Sequence, residues 1–196
     1  MKVVLVHGIF NTGHVMGILK RRLQRAGHQC FSPTVAPFDG RHGIEVAAKS
    51  LREQIDAEFG ADDDIVLVGF SMGGIVGRYY LQYLGGAERV SQFFSLSAPH
   101  NGSYWAYLPY PSKGVRQLRP NSEFLLELAQ SEAVLDKVKL YSFWTPFDFT
   151  IVPSSSSVWQ IAENQRFMVF LHLSILFSRR IANEISQTCV RKGFPS

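Results

Sequence analysis

The sequence predicts an α/β protein in which helices cover both faces of a mostly parallel sheet. Short apolar runs alternate along the chain with longer segments of helical periodicity. Two of the runs, residues 3–6 and 65–68, are entirely apolar, as is typical of strands buried on both faces of a parallel sheet. The helical segments are long enough to serve as the crossovers that parallel strands require.

The elements follow one another in a simple order, and glycines close several of the helices. Strands are predicted over residues 2–6, 29–35, 64–70, 90–98, 138–143 and 166–171, and helices over 15–25, 43–59, 72–84 and 174 to about 189. The chain has 196 residues, of which 46% are hydrophobic, so we expect one domain over residues 1–196. Residues 101–120, rich in Tyr, Pro and Gly, are a candidate short cover over a ligand site at the carboxyl edge of the sheet.

Charge and composition argue against several classes of protein. The net charge of +4 is modest, and the basic residues 20–22 fit a solvated helix face, so we expect no nucleic-acid partner. The longest apolar stretch, residues 167–177, is interrupted and too short to span a bilayer, so we expect no transmembrane segment. No secretory signal is visible, which favours a cytoplasmic protein. Cys30 and Cys189 fit no metal-ligand spacing, and the sequence does not determine whether they pair.

The most informative motif is GFSMG at residues 69–73, which fits the pattern G-x-S-x-G. An apolar run precedes it and a helical segment follows, and that context holds the serine on a sharp turn with its hydroxyl exposed. Ser71 is therefore a candidate nucleophile. The alternative is a generic glycine turn that contains an incidental serine.

A serine hydroxyl is a weak nucleophile at neutral pH and needs an adjacent base. Among the histidines, His100 and His172 are placed to reach the carboxyl edge of the sheet, and the chain order of serine, acid and histidine favours His172. Asp148 lies in an apolar loop after a strand, where a buried carboxylate needs a partner such as a histidine N–H. The alternative for Asp148 is a turn residue close to a proline.

Acyl transfer also needs backbone N–H groups that point at the developing oxyanion. The glycine-containing segment HGIFN, residues 7–11, follows the first strand and can supply one donor. Met72, directly after the candidate nucleophile, can supply the other. An ordinary turn between strand and helix remains an equal alternative for residues 7–11.

Four segments together resemble the α/β-hydrolase superfamily, and within it the small bacterial lipases and lipase-like esterases. The segments are VLVHGIFNTG, VGFSMGGIVGRYYL, SAPHNGS, and FDFTIVP with the later LHLSILF, in the order that the family has them. The resemblance covers nearly the whole chain. It implies the α/β-hydrolase fold in a minimal version with little or no lid.

The resemblance also implies roles for individual residues. Ser71 would be the nucleophile, His172 the general base and acid, and Asp148 the residue that orients His172. The N–H groups of Ile9 and Met72 would form the oxyanion hole, with Phe10 as a less favoured donor than Ile9, and His7 and His100 would brace loops. No metal or organic cofactor is implied. Leu171 stands where the family often has a glycine before the histidine.

The expected function is hydrolysis of carboxylic esters, as in lipases and esterases of lipid metabolism, with a small-molecule or lipid ester as substrate. The residues expected to line the acyl site are Phe10, Tyr104, Trp105, Tyr107, Leu108 and Tyr110. A thioesterase, an amidase or an acyltransferase with the same triad is an alternative. A non-catalytic binding protein on the same fold is another. The sequence determines neither the natural substrate, nor the acyl chain length, nor the oligomeric state.

Overall fold

A single six-stranded sheet organises the protein, as a computed structural model that describes residues 1–190 shows. The strands are β1 Lys2–Val6, β2 Gln29–Phe31, β3 Ile65–Phe70, β4 Val90–Leu96, β5 Lys139–Trp144 and β6 Glu163–Arg166. The spatial order is β2-β1-β3-β4-β5-β6, and every neighbouring pair is parallel. The chain changes its direction of progress across the sheet at β1, so a ligand cleft is expected at the carboxyl ends of β1 and β3.

Six α-helices among residues 1–190 flank this sheet. They are α1 Gly17–Arg25, α2 Ile44–Phe59, α3 Met72–Tyr83, α4 Lys113–Gln117, α5 Glu123–Gln130 and α6 Arg179–Val190. Short 3₁₀ turns lie at Gly13–Met16, Gly86–Glu88, Tyr104–Tyr107, Glu132–Lys137, Ser154–Ser157 and His172–Phe177. Residues 191–196, the end of the predicted single domain, lie outside the described residues.

Two hydrophobic cores fill the space between the sheet and its helices. Alternate residues of β1 point to opposite faces, so Val4 and Val6 join one core while Val3 and Leu5 join the other. The first core includes side chains of α2, α3 and α5, and the second includes side chains of α1 and α6. Helices therefore cover both faces, and the predicted fold class is confirmed.

The end of the chain differs from the prediction. The last strand is β6 Glu163–Arg166 rather than residues 166–171, and it pairs with β5 from Tyr141 to Trp144. Its sequence, ENQR, is polar because β6 is an edge strand with little burial, so a search for apolar runs misses it. The final helix is also split, because α6 begins only at Arg179, after the 3₁₀ turn at His172–Phe177.

Across residues 1–190, the structure contains no helix with the length and apolar character that crossing a bilayer requires.

Candidate active site

Ser71 occupies a strained turn between β3 and α3. Its backbone angles are φ 55° and ψ −128°, a combination that non-glycine residues rarely adopt and that costs on the order of 1–3 kcal/mol. The surrounding backbone holds it there, since the Ser71 N–H donates to the Leu96 carbonyl at 2.9 Å and its own carbonyl accepts from the Gly74 N–H at 2.9 Å. Strain of this kind persists only where the rest of the fold enforces it.

Two glycines allow the backbone to approach this turn closely. A Cβ atom on Gly73 would lie 2.4 Å from the carbonyl oxygen of His7, which is nearer than any real Cβ contact. A Cβ atom on Gly8 would lie 2.9 Å from the Cβ of Ser71. The loop after β1 therefore packs directly against Ser71, and larger residues at either glycine would push the two apart.

Asp148 and His172 form a buried pair. Nδ1 of His172 lies 2.7 Å from Oδ2 of Asp148, and the side chains are 10% and 1% exposed. The other carboxylate oxygen of Asp148 accepts the N–H groups of Thr150 and Ile151, each at 2.9 Å. Burial alone would raise the pKa of Asp148, but the hydrogen bonds from His172 and from these backbone groups outweigh it, so the pKa lies below its ordinary value.

The His172 ring is held at the edge of β3, beside the residue that precedes Ser71. Its centroid lies 4.7 Å from that of the Phe70 ring. Because Nδ1 is occupied by Asp148, Nε2 is the nitrogen available for proton transfer, and it has no hydrogen-bond partner among residues 1–190. Ser71 and His172 line the same cleft, and their side chains make no direct hydrogen bond.

The turn before His172 is also strained. Leu171 has φ 72° and ψ 147°, a region that glycine occupies much more readily than leucine. Its side chain is largely exposed. Leucine at position 171 therefore adopts a backbone conformation that suits glycine better.

The loop after β1 is braced by His7. Nδ1 of His7 contacts the carbonyl of Gly8 at 2.8 Å, and Nε2 accepts the N–H of Val35 at 2.9 Å. Burial lowers the pKa of His7, which favours the neutral ring that these two bonds require. The N–H of Phe10 donates to the carbonyl of Phe38 at 2.8 Å and is thus occupied, whereas Ile9 lines the cleft beside Ser71.

His100 lies away from this cleft in a different environment. Its Nε2 is 2.7 Å from the hydroxyl of Ser95, and its ring stacks on Trp159 with centroids 4.4 Å apart. Burial, with the nearby charge of Arg78, holds the pKa of His100 well below its ordinary value. The ring is therefore neutral and enclosed, which suits a bracing residue.

The cleft above Ser71 has a volume of about 970 Å³ and a mainly apolar lining. Of the predicted lining residues, Phe10, Trp105, Leu108 and Tyr110 do face it. Tyr104 and Tyr107 are exposed and stack on each other instead, with centroids 6.4 Å apart. Sequence reasoning missed Phe149, Leu171 and Leu173 as lining residues, although each is an immediate neighbour of Asp148 or His172.

Residues 101–120 form one wall of the cleft. The N–H of Tyr104 donates to the carbonyl of Val152 at 2.8 Å, and the indole N–H of Trp105 donates to the carbonyl of Phe149 at 2.7 Å. At the other end, the N–H of Gly114 donates to the carbonyl of Gly40 at 2.9 Å. These bonds join the segment to the loop after β5 and to the residues before α2, so it forms a wall of the cleft.

The potential metal-ligating side chains of residues 1–190 do not cluster. No group of His, Cys, Asp and Glu side chains there is arranged to hold a metal ion. Cys30 and Cys189 are both free thiols, and burial raises their pKa values to about 11 and about 12. Both cysteines are therefore uncharged and poorly nucleophilic at neutral pH.

The parallel sheet with helices on both faces and the sharp turn at Ser71 define the α/β-hydrolase fold. Solved structures of lipases and esterases are similar to it. The mature form of the Bacillus licheniformis lipase BlEst2 aligns with a TM-score of 0.76 and 17% identity, over 96% of this chain and 91% of that one. Aspergillus fumigatus lipase B aligns with a TM-score of 0.74 and 15% identity, over 89% of this chain and 49% of that one. Polyneuridine aldehyde esterase aligns with a TM-score of 0.67 and 19% identity, over 96% of this chain and 98% of that one. At these identities the likeness establishes the fold alone.

The chain belongs to the palmitoyl protein thioesterase family, whose model matches residues 2–135. The matched residues include Ser71 and the loop after β1 but end before Asp148 and His172. No curated protein matches the chain in sequence. Family and fold together support a hydrolase.

Proposed function

We propose that this protein is a serine hydrolase that cleaves carboxylic esters of apolar acyl groups through an acyl-enzyme on Ser71. The observation that carries the proposal is the His172–Asp148 pair, 2.7 Å apart, in the same cleft as the strained Ser71. A base held by a carboxylate, in a cleft that a serine also lines, is the arrangement that nucleophilic catalysis by serine requires.

The reaction begins when the Ser71 hydroxyl attacks the substrate carbonyl carbon while Nε2 of His172 takes the hydroxyl proton. Asp148 keeps the proton of His172 on Nδ1 and stabilises the imidazolium that forms. His172 then gives its proton to the departing alcohol, which leaves the acyl group on Ser71. Water, deprotonated by the same nitrogen, attacks the acyl-enzyme and releases the carboxylic acid.

The oxyanion formed in each step would accept hydrogen bonds from the N–H groups of Ile9 and Met72. Two observations support this choice. The Phe10 N–H is occupied by the carbonyl of Phe38, and Gly8 brings the loop within contact distance of Ser71. Met72 is the first residue of α3, where N–H groups have no partner within the helix and the helix dipole favours negative charge. One such donor contributes about 10²- to 10³-fold in rate.

A thioester is the second candidate substrate, because the family that the chain belongs to is named for palmitoyl protein thioesterases. The same nucleophile, base and oxyanion donors act on either bond. A thiol is a far better leaving group than an alcohol, so a thioester depends less on proton donation by His172.

Turnover of matched substrates tests the proposal. An ester, a thioester and an amide of the same acyl chain, over several chain lengths, are compared as substrates of the wild-type protein and of Ser71→Ala. Ser155→Ala, an exposed serine in a neighbouring loop, is the matched control. We expect Ser71→Ala to abolish turnover and labelling by a fluorophosphonate probe while the circular dichroism spectrum stays unchanged.

The outcomes separate the candidates. Retained turnover or labelling in folded Ser71→Ala excludes Ser71 as the nucleophile. A larger rate enhancement over spontaneous hydrolysis for the thioester than for the ester makes the protein a thioesterase, and cleavage of the amide makes it an amidase. Transfer of the acyl group to an added alcohol in preference to water identifies an acyltransferase. A folded wild-type protein that no probe labels is a binding protein.

A further inference from the structure

The mouth of the cleft is surrounded by exposed apolar side chains. Seven large hydrophobic residues both line the cleft and are exposed to solvent: Phe10, Trp105, Leu108, Tyr110, Phe149, Leu171 and Leu173. The most exposed are Phe149 at 68% and Leu171 at 63%. Two of them are in direct contact, since the rings of Phe10 and Tyr110 meet edge to face with centroids 5.0 Å apart. We call this set the rim. Exposed apolar side chains gathered in one patch generally mark an interaction site.

The apolar surface continues beyond the rim toward the end of the chain. Met168 is 60% exposed and Phe170 is 68% exposed, in the segment that leads from β6 to His172. Phe170 stacks on Phe147, with centroids 4.6 Å apart, which fixes its outward position. An exposed phenylalanine held by stacking is ordered for contact with something outside the protein, since folding alone gains little from it.

The charges around the rim are almost all positive. The rim residues lie in four segments, residues 7–14, 101–122, 144–162 and 166–182, and residues 36–43 adjoin them, since the carbonyl of Phe38 accepts the N–H of Phe10. The basic residues of these five segments are Arg41, Lys113, Arg116, Arg119, Arg166, Arg179 and Arg180. Of these seven, all but Arg119 are exposed. Their only acidic residues are Asp39 and Asp148, both buried and both paired, with Arg41 and His172. Lys113 is also paired, with Glu45 at 3.0 Å, so the exposed cations of these segments without an ion pair among residues 1–190 are Arg116, Arg166, Arg179 and Arg180.

We infer that the rim and its surrounding arginines and lysines dock the protein on an anionic lipid bilayer, with the mouth of the cleft against the lipid. Aromatic and aliphatic side chains with nearby cations are the combination that binds the interface of an anionic membrane. The cations attract the lipid headgroups, and the apolar side chains enter the boundary between headgroups and acyl chains.

A second copy of the chain fits this surface less well. In a symmetric dimer each patch meets its own counterpart, so the basic residues of the two copies would face one another. Such a dimer would also close both clefts. A bilayer matches both the charge and the apolar character of the rim, and it leaves the cleft open to molecules held in the membrane.

This inference does not rest on the proposed function, because docking needs no turnover. The binding test uses vesicles of diether phospholipids, which contain no carboxylic ester that the protein could cleave. Diether phosphatidylcholine alone is compared with a mixture containing 30% diether phosphatidylglycerol. Binding is measured by co-sedimentation and by quenching of the exposed Trp105 with brominated lipid.

We expect binding to the mixed vesicles to be at least tenfold stronger than to phosphatidylcholine alone, and to weaken at least tenfold between 50 mM and 500 mM NaCl. The double variant Phe170→Ser with Arg166→Gln should bind at least tenfold more weakly. The matched control, Val134→Ser with Lys139→Gln, also changes one exposed hydrophobic residue and one exposed cation. Lys139 is the first residue of β5 and Val134 lies in the turn before it, so both are at the amino ends of the strands, opposite the rim. This control should bind as the wild type does. Both double variants should cleave a soluble short-chain ester at the wild-type rate.

Each contrary result overturns the inference. Absence of binding to the mixed vesicles excludes an anionic bilayer, and equal binding to neutral vesicles excludes recognition of charge. Equal loss in both double variants shows that the rim is not the contact surface. A dimer in sedimentation velocity that only the Phe170→Ser, Arg166→Gln variant disrupts identifies a second copy as the occupant. Loss of ester turnover with intact vesicle binding would instead count against the proposed function.

Discussion

His100 and His172 occupy similar positions in the chain but have different surroundings. Each follows a strand at the carboxyl edge of the sheet, and each has one hydrogen-bonded ring nitrogen and one without a partner among the described residues. The partner of His172 is a carboxylate and its ring borders the cleft. The partner of His100 is the hydroxyl of Ser95, and its ring is enclosed near the guanidinium of Arg78.

The comparison shows that the groups around a histidine determine how readily its ring takes up a proton. A carboxylate stabilises the imidazolium that a general base becomes, whereas burial beside a cation opposes it. His172 can therefore take up a proton during a reaction, and His100 cannot do so without a large cost. Four predictions test or sharpen this contrast, beginning with the largest effect.

Removing the imidazole should separate the two residues most strongly. His172→Gln is expected to lower kcat/KM for an ester about 10⁴- to 10⁶-fold, because the proton of Ser71 then has no acceptor. His100→Gln should lower it less than tenfold. Steady-state kinetics of both variants, with folding checked by thermal unfolding, decides the matter. Equal losses in two folded variants would abolish the contrast.

Removing the charge of the partner should have the next largest effect. Asp148→Asn keeps the shape of the side chain but favours the wrong tautomer of His172, so kcat should fall about 10²- to 10⁴-fold. The matched change at the other histidine, Ser95→Ala, should alter kcat less than tenfold. A small loss in Asp148→Asn would mean that Asp148 serves the turn at residues 148–151 rather than His172.

The enclosed His100 should make stability depend on pH. Its native pKa is depressed, so as pH falls below about 6.5 the unfolded chain binds a proton that the native ring does not, and the free energy of unfolding decreases. Between pH 7 and pH 5 this contribution is at most about 2 kcal/mol. Urea unfolding of His100→Gln should show a correspondingly weaker decline than the wild type. An unchanged decline would show that the pKa of His100 is not depressed in the native state relative to the unfolded chain.

The smallest effect concerns the turn that precedes His172. Because Leu171 has a positive φ, Leu171→Gly should be more stable than Leu171→Ala by about 1 kcal/mol, the reverse of the usual order. Since the side chain is exposed in the native state, lost burial contributes little to either variant. Urea unfolding of the two variants measures the difference. A more stable alanine variant would argue against strain at this turn.

Much of this molecule can be predicted from short stretches of sequence. The buried strands β1 and β3 are apolar without interruption because both of their faces are covered, so their bounds are readable to within a residue. The turn at Ser71 is readable because two close backbone contacts demand glycine at fixed offsets. The edge strand β6 is not readable in this way, since its polar residues carry no sign of burial.

The walls of the cleft depend on contacts between distant parts of the chain. Tyr104 and Trp105 are neighbours of similar character, yet only Trp105 faces the cleft, because its indole bonds the carbonyl of Phe149. No local pattern predicts a bond across 44 residues. The same holds for Leu171, whose positive φ is enforced by the tertiary structure against its own preference.

The sequence by itself determined the alternation of strands and helices and the sharp turn at Ser71, because periodicity, burial and the steric need for glycine act over a few residues. Only the tertiary structure decided that His172 meets Asp148, that His100 is enclosed, and which aromatic residues form the rim. Those outcomes depend on how the loops at the carboxyl edge pack against one another. Such packing follows from long-range contacts that no segment of the chain encodes alone.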